Sequence, residues 1–200
     1  MSAAPTGRPD RGYRTLLVVP LLYGSWLLMM VLHELGHVLH GWASGATVTR
    51  VMLGPHVLSM TMLEPNPHPL FVAWGGALWG SVLPLGLWGC LALARSSRAY
   101  LARFLAGFCL AANGGYLAGG ALAMAGDAGD MAALGCPRWL PVLAGLPIFA
   151  AGLWLWHRQG RFFGIGPDAR TVRRADAVGA AVVVLVLVAG ELLFFGGAPA

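Results

Sequence analysis

The chain has no lysine, only eight acidic residues and only three cysteines, and each shortage removes a class of reading. Charged residues make up 10% of its 200 residues and apolar ones 58%, with a mean hydropathy of +0.70, which is not the balance of a soluble domain of this length. The expectation is an integral, multi-pass membrane protein, placed in the cell membrane, with the lipid bilayer as its surroundings. The net charge of +5 comes wholly from arginine. Those arginines fall in the short gaps between apolar runs, where membrane topology accounts for them, so no nucleic-acid partner is expected. Cys90, Cys109 and Cys136 are odd in number and lack CxxC spacing, which argues against a disulfide framework and leaves them as small core residues.

Glycine, by contrast, is abundant, with 29 residues. Gly76-xxx-Gly80 and Gly115-xxx-Gly119 have the small-xxx-small spacing that lets helices approach closely in lipid. No glycine group follows a strand and opens a helix, so none reads as a phosphate cradle.

Five apolar segments meet the requirement of about 20 residues per membrane span. They run from Thr15 to Gly41, Leu70 to Ala94, Tyr100 to Ala125, Trp139 to Trp156 and Ala177 to Phe195. Arg8, Arg11 and Arg14 before the first segment and Ala43-Ser44-Gly45-Ala46 after it have some features of a signal peptide, but the apolar stretch is too long, so an uncleaved first helix is expected. Between Thr47 and Leu63, β-branched and large apolar residues alternate around Gly54-Pro55, predicting two short strands with a turn. The fold class is therefore an all-α membrane protein of about five transmembrane helices with a short β-hairpin after the first. Eleven arginines flank the segments on one side, while Arg50 and Arg138 lie on the other. The positive-inside bias places the N-terminus in the cytoplasm and the C-terminus outside.

His33-Glu34-Leu35-Gly36-His37 is the most informative stretch. A helix sets residues i and i+4 on one face, so His33 and His37 can offer imidazole nitrogens to one metal ion. Glu34 then lies beside the metal, placed to take a proton from water and deliver it to a leaving group. Ionisable residues inside a membrane segment are costly to keep without such a use. His40 continues the same face at i+7 and is a minor candidate ligand.

A tetrahedral catalytic zinc requires a third protein ligand and keeps its fourth position for water. Asp127 and Asp130 are the only carboxylates between Glu64 and Asp168. Helix counting brings the end of the third segment to the membrane face that holds the second half of the first, so either aspartate can meet the two histidines. Asp127 is narrowly favoured as ligand, and the other aspartate can hold a histidine N–H or cap a helix.

HELGH in an apolar helix, a following Gly45 and strand hairpin, and an aspartate after a later apolar helix resemble the site-2 protease family of intramembrane zinc metalloproteases over roughly residues 16–134. The resemblance implies a three-helix metalloprotease core, one Zn2+ on His33, His37 and Asp127 or Asp130, Glu34 as general base, and a membrane-embedded protein substrate. It divides the chain into an N-terminal tail at 1–14, the core at 15–134 and two further transmembrane helices at 135–200. Departures are specific: Gly-Asp-Ala-Gly-Asp replaces the family's Leu-Asp-Gly, Asn113 lacks the nearby proline of its Asn-Pro element, there is no PDZ domain, and the arginine count puts the metal near the external leaflet, whereas the family's lies toward the cytosol. The alternative from the same residues is a non-proteolytic metal-binding membrane protein that acts as a binding or regulatory partner. A di-iron hydroxylase is disfavoured because it needs several histidine boxes, and a transporter because its expected mark is broken helices.

Overall fold

In a computed structural model, which describes residues 11–195, helix α1 spans Arg11–Ala43. At 33 residues it is about 50 Å long, more than a bilayer's hydrocarbon core requires. It takes in Arg11 to Arg14, the last residues of the expected tail; Arg8 and the rest of that tail lie outside the described residues. Strands β1 (Val48–Met52) and β2 (Met60–Leu63) follow as an antiparallel pair. The expected hairpin is present, but its strands are shorter than expected, and Gly54-Pro55 lies in the connection 53–59. Helices α2 (Pro69–Leu93) and α3 (Ala99–Ala123) come next, then the short α4 (Gly126–Ala133), α5 (Trp139–Trp156) and α6 (Arg174–Phe194).

Among the described residues, five helices (α1, α2, α3, α5 and α6) are long and apolar enough to cross a membrane. Their outer faces carry large apolar side chains such as Leu143, Trp154, Leu185 and Leu193. A bilayer solvates such faces and water does not, so this is the surface of a membrane protein.

Glycine decides which helices touch. A Cβ on Gly107 would run into Trp156 and the Gly152 carbonyl, and one on Gly114 into Phe149 and the Gly145 carbonyl. Those contacts join α3 to α5 in antiparallel register. The expected pair Gly115 and Gly119 is not the contact: Gly115 meets only the ring of Phe149 and Gly119 has open space. Gly76 and Gly80 do face neighbouring helices, the first against the α1 histidines and the second against Asn113.

The two ends of the bundle differ in chemistry. At one, Leu17, Phe163, Val172 and Ala177 form an apolar cluster with Tyr100 and Phe104. Arg98 and Tyr100 there bind the buried Asp176 carboxylate at 3.1 and 2.9 Å, tying α6 to α3. The connections at this end carry the arginines counted above. At the other end, Ala73, Ala77, Leu117, Ala121, Ala128 and Met131 pack the start of α2, the end of α3 and α4 together. The C-terminal half of α1 and the hairpin reach this second end, which is why residues far apart in sequence converge there.

Candidate metal centre

The HELGH residues lie on the buried side of α1, where His33, Glu34, Gly36 and His37 are all buried. Close approach of α1 to α2 depends on Gly36 and Gly75, whose backbones touch: a Cβ on either would meet the other's carbonyl. Two consecutive α2 carbonyls then fix the register. His37 Nδ1–H donates to Val72 O at 2.9 Å, and His40 Nδ1–H donates to Phe71 O at 2.7 Å.

His33 is held from α3. Its Nδ1–H donates to Asn113 Oδ1 at 2.7 Å, while Asn113 Nδ2 donates to Cys109 O at 2.9 Å. The second bond sets which way the amide faces, and Asn113 is only 1% exposed. With both Nδ1 atoms serving as donors, the neutral imidazoles turn unprotonated Nε2 atoms toward the same point.

Asp127 completes the group from the first turn of α4. Met124, in the left-handed conformation, ends α3, and Gly126 with φ +57° turns the chain into α4. A carboxylate in a first turn is favoured by the helix dipole. Its Oδ2 lies 2.9 Å from His33 Nε2 and 3.3 Å from His37 Nε2, and the two Nε2 atoms are 3.2 Å apart. Burial alone would raise the Asp127 carboxyl, but when the two facing Nε2 atoms carry protons their hydrogen bonds and charge outweigh it and hold the group well below the usual carboxylate range.

Three acceptor atoms at such distances repel one another unless a cation lies among them. Ligand atoms on a tetrahedral metal with bonds of about 2.0–2.1 Å stand about 3.3–3.4 Å apart, close to the triangle seen here. A Cβ on Gly76 would come within 2.5 Å of both Nε2 atoms, so the missing side chain leaves the space an ion needs. The His33–His37–Asp127 group therefore fits a metal ion, and among the described residues it is the one such cluster of histidine, cysteine and carboxylate ligands.

Asp130, the other aspartate considered, is exposed at the cavity wall and is not part of this group. His40 is not part of it either. It is buried and stacked on Phe71 at 4.1 Å between ring centroids, which makes it an α1–α2 contact rather than a surface residue or a ligand.

Glu34, 3% exposed, accepts a hydrogen bond from Thr61 Oγ1 on β2 at 2.6 Å. The hairpin thus touches the glutamate directly. A cavity of about 610 Å³ opens beside it, lined among others by His33, Glu34, His37, Thr61, Tyr116 and Asp127. Tyr116 stands edge-on to His33, with ring centroids 5.6 Å apart, and its hydroxyl oxygen accepts the Asp127 N–H at 3.2 Å.

Sequence reasoning did not identify Asn113, Thr61, Tyr116 or Gly76 as parts of this site. One signal was present: Asn113 is the one side-chain amide inside an apolar segment, and a polar group there calls for a partner. The others depend on which helix faces meet. No protein-family model, no curated protein and no solved structure matches the chain.

Proposed function

We propose that this protein is a zinc-dependent intramembrane endopeptidase that hydrolyses peptide bonds of membrane-embedded protein substrates. The observation that carries the reading is the placing of Glu34 next to the His33–His37–Asp127 triangle, at the wall of a cavity among apolar helices. Imidazole and carboxylate donors in a four-coordinate arrangement suit zinc. Zinc held there supplies a Lewis acid that polarises a carbonyl and makes water acidic enough to react near neutral pH.

The chain's own residues account for the rest. Asn113 and Val72 fix the two imidazoles in the ligand tautomer, so neither has to reorient when the ion binds. Glu34 accepts the proton of the attacking water on a carboxylate oxygen and returns it to the departing amide nitrogen. Thr61 holds Oε2 of that carboxylate, leaving Oε1 for the proton. The cavity admits water to a place where the surrounding helices would otherwise exclude it. A substrate helix hides its peptide bonds in its own hydrogen bonds, so the scissile segment must be unwound to reach Glu34. The arginine distribution puts the metal end of the bundle on the external side.

The test is cleavage of a transmembrane-helix reporter by the detergent-purified full chain loaded with zinc, with Glu34→Gln beside it. Cleavage by wild type and its loss in a Glu34→Gln protein that keeps zinc support the reading. Zinc bound with no cleavage of a panel of such reporters supports instead a metal-binding protein that acts as a partner of other membrane proteins.

A further inference from the structure

Peptide hydrolysis needs a second electrostatic element besides the ion. As water's oxygen bonds to the carbonyl carbon, the C=O π pair moves onto oxygen and the water proton passes to Glu34. The C–N bond then breaks, and the nitrogen leaves with that proton. The oxyanion formed in between is stabilised by a hydrogen-bond donor already aimed at it.

The donors around the cavity narrow the choice. Thr61 gives its proton to Glu34. Asn113 accepts from His33 at Oδ1 and gives one Nδ2–H to Cys109 O, and at 1% exposure its second N–H is poorly presented to a substrate. Tyr116 differs from both. Its oxygen accepts the backbone N–H of the ligand residue Asp127, its ring lies against the ligand His33, and it is 44% exposed on the cavity wall. Among the described residues no acceptor takes its phenolic proton.

Gly126 preserves this arrangement. A Cβ there would strike the Tyr116 ring and come within 2.5 Å of its Cζ, and the positive φ of Gly126 disfavours any side chain. The hydroxyl is therefore locked one residue from a metal ligand with its O–H bond free to turn toward the cavity. A hydroxyl that accepts an N–H becomes a better donor, because the two bonds polarise one another.

We infer that Tyr116 is a catalytic residue that donates its phenolic O–H to the carbonyl oxygen as it becomes an oxyanion. The inference rests on the hydrolase reading above and adds a residue to it. Tyr116→Phe keeps the ring on His33 and removes only the hydroxyl, so the expected change is a kcat lower by about 100-fold with little change in KM.

The direct test needs no substrate. The full-length protein and Tyr116→Phe are loaded with Co2+, whose visible spectrum reports ligands at the metal, and titrated with acetohydroxamate and separately with 2-mercaptoethanol. Hydroxamate presents an oxygen acceptor beside the metal, whereas the thiolate presents none. The proposal expects equal cobalt content and unchanged starting spectra, hydroxamate binding about tenfold weaker in Tyr116→Phe, and the same thiol affinity in both. Equal hydroxamate affinity overturns it. Equal weakening of both probes, or a shifted starting spectrum, also overturns it, because Tyr116 then acts only by positioning Asp127. A wild type that takes up no cobalt overturns the metal reading and this inference together.

Discussion

Gly36 of the HELGH sequence lies backbone to backbone against Gly75 of α2, and this contact determines how closely the histidine face of α1 approaches its neighbour. The next residue, Gly76, stands opposite His33 Nε2 and His37 Nε2. Alanine there favours the helix by about 1 kcal/mol over glycine, yet its methyl group would occupy the space between the ligands. Gly76→Ala is expected to fold with undiminished helicity by circular dichroism and to hold less than about a tenth of the wild-type metal. Wild-type metal content in a folded Gly76→Ala would show that the ion does not lie where the imidazoles point.

Asn113 touches the candidate metal group only through His33. Outer partners of metal-binding histidines commonly contribute 10- to 100-fold in affinity. Asn113→Ala is expected to weaken metal binding by about that factor, measured by competition with a chromophoric chelator, whereas Asn113→Asp, which keeps an acceptor for Nδ1–H, retains most of it. Equal affinity in wild type and Asn113→Ala would remove the orienting role.

Much of the architecture was legible from the chain, and the reason is the bilayer. Long apolar runs separated by arginine-bearing gaps reveal spans directly, since lipid requires every spanning segment to be apolar and helical. The i, i+4 spacing of His33 and His37 likewise needs no tertiary information. Choosing Asp127 over Asp130 did need it, because the answer depends on where α3 ends. Met124 and Gly126 break the helix before Asp127, so α4 starts afresh and brings Asp127 to the histidines while Asp130 stays exposed at the cavity wall. Contact glycines were equally hidden: Gly107 and Gly114 meet α5 rather than the expected Gly115 and Gly119, and spacing alone does not say which face of α3 has a neighbour.

Thr61 carries a separate expectation. Its hydroxyl holds Glu34 Oε2 at 2.6 Å and touches no ligand nitrogen. Thr61→Val is expected to lower the hydrolysis rate by about tenfold with metal content unchanged, and Thr61→Ser to restore most of it. Loss of metal in Thr61→Val would mean that the hairpin supports the whole centre and not Glu34 alone.

Acid should release the ion through the histidines. The Asp127 carboxyl is held below its usual range, so it stays ionised while protons compete with the metal for the imidazole nitrogens. Affinity is expected to fall as the pH is lowered from about 8 to about 5, with up to about two protons taken up per ion lost. Chelator competition from pH 5 to 8 checks this, and a flat profile would contradict histidine ligation.

Elemental analysis of the detergent-purified chain distinguishes which three residues hold the ion. Wild type is expected to hold close to one zinc per chain, His37→Ala and Asp127→Ala essentially none, and Asp130→Ala the wild-type amount. Zinc retained in Asp127→Ala and lost in Asp130→Ala would make Asp130 the ligand, and no zinc in wild type after reconstitution would remove the metal centre.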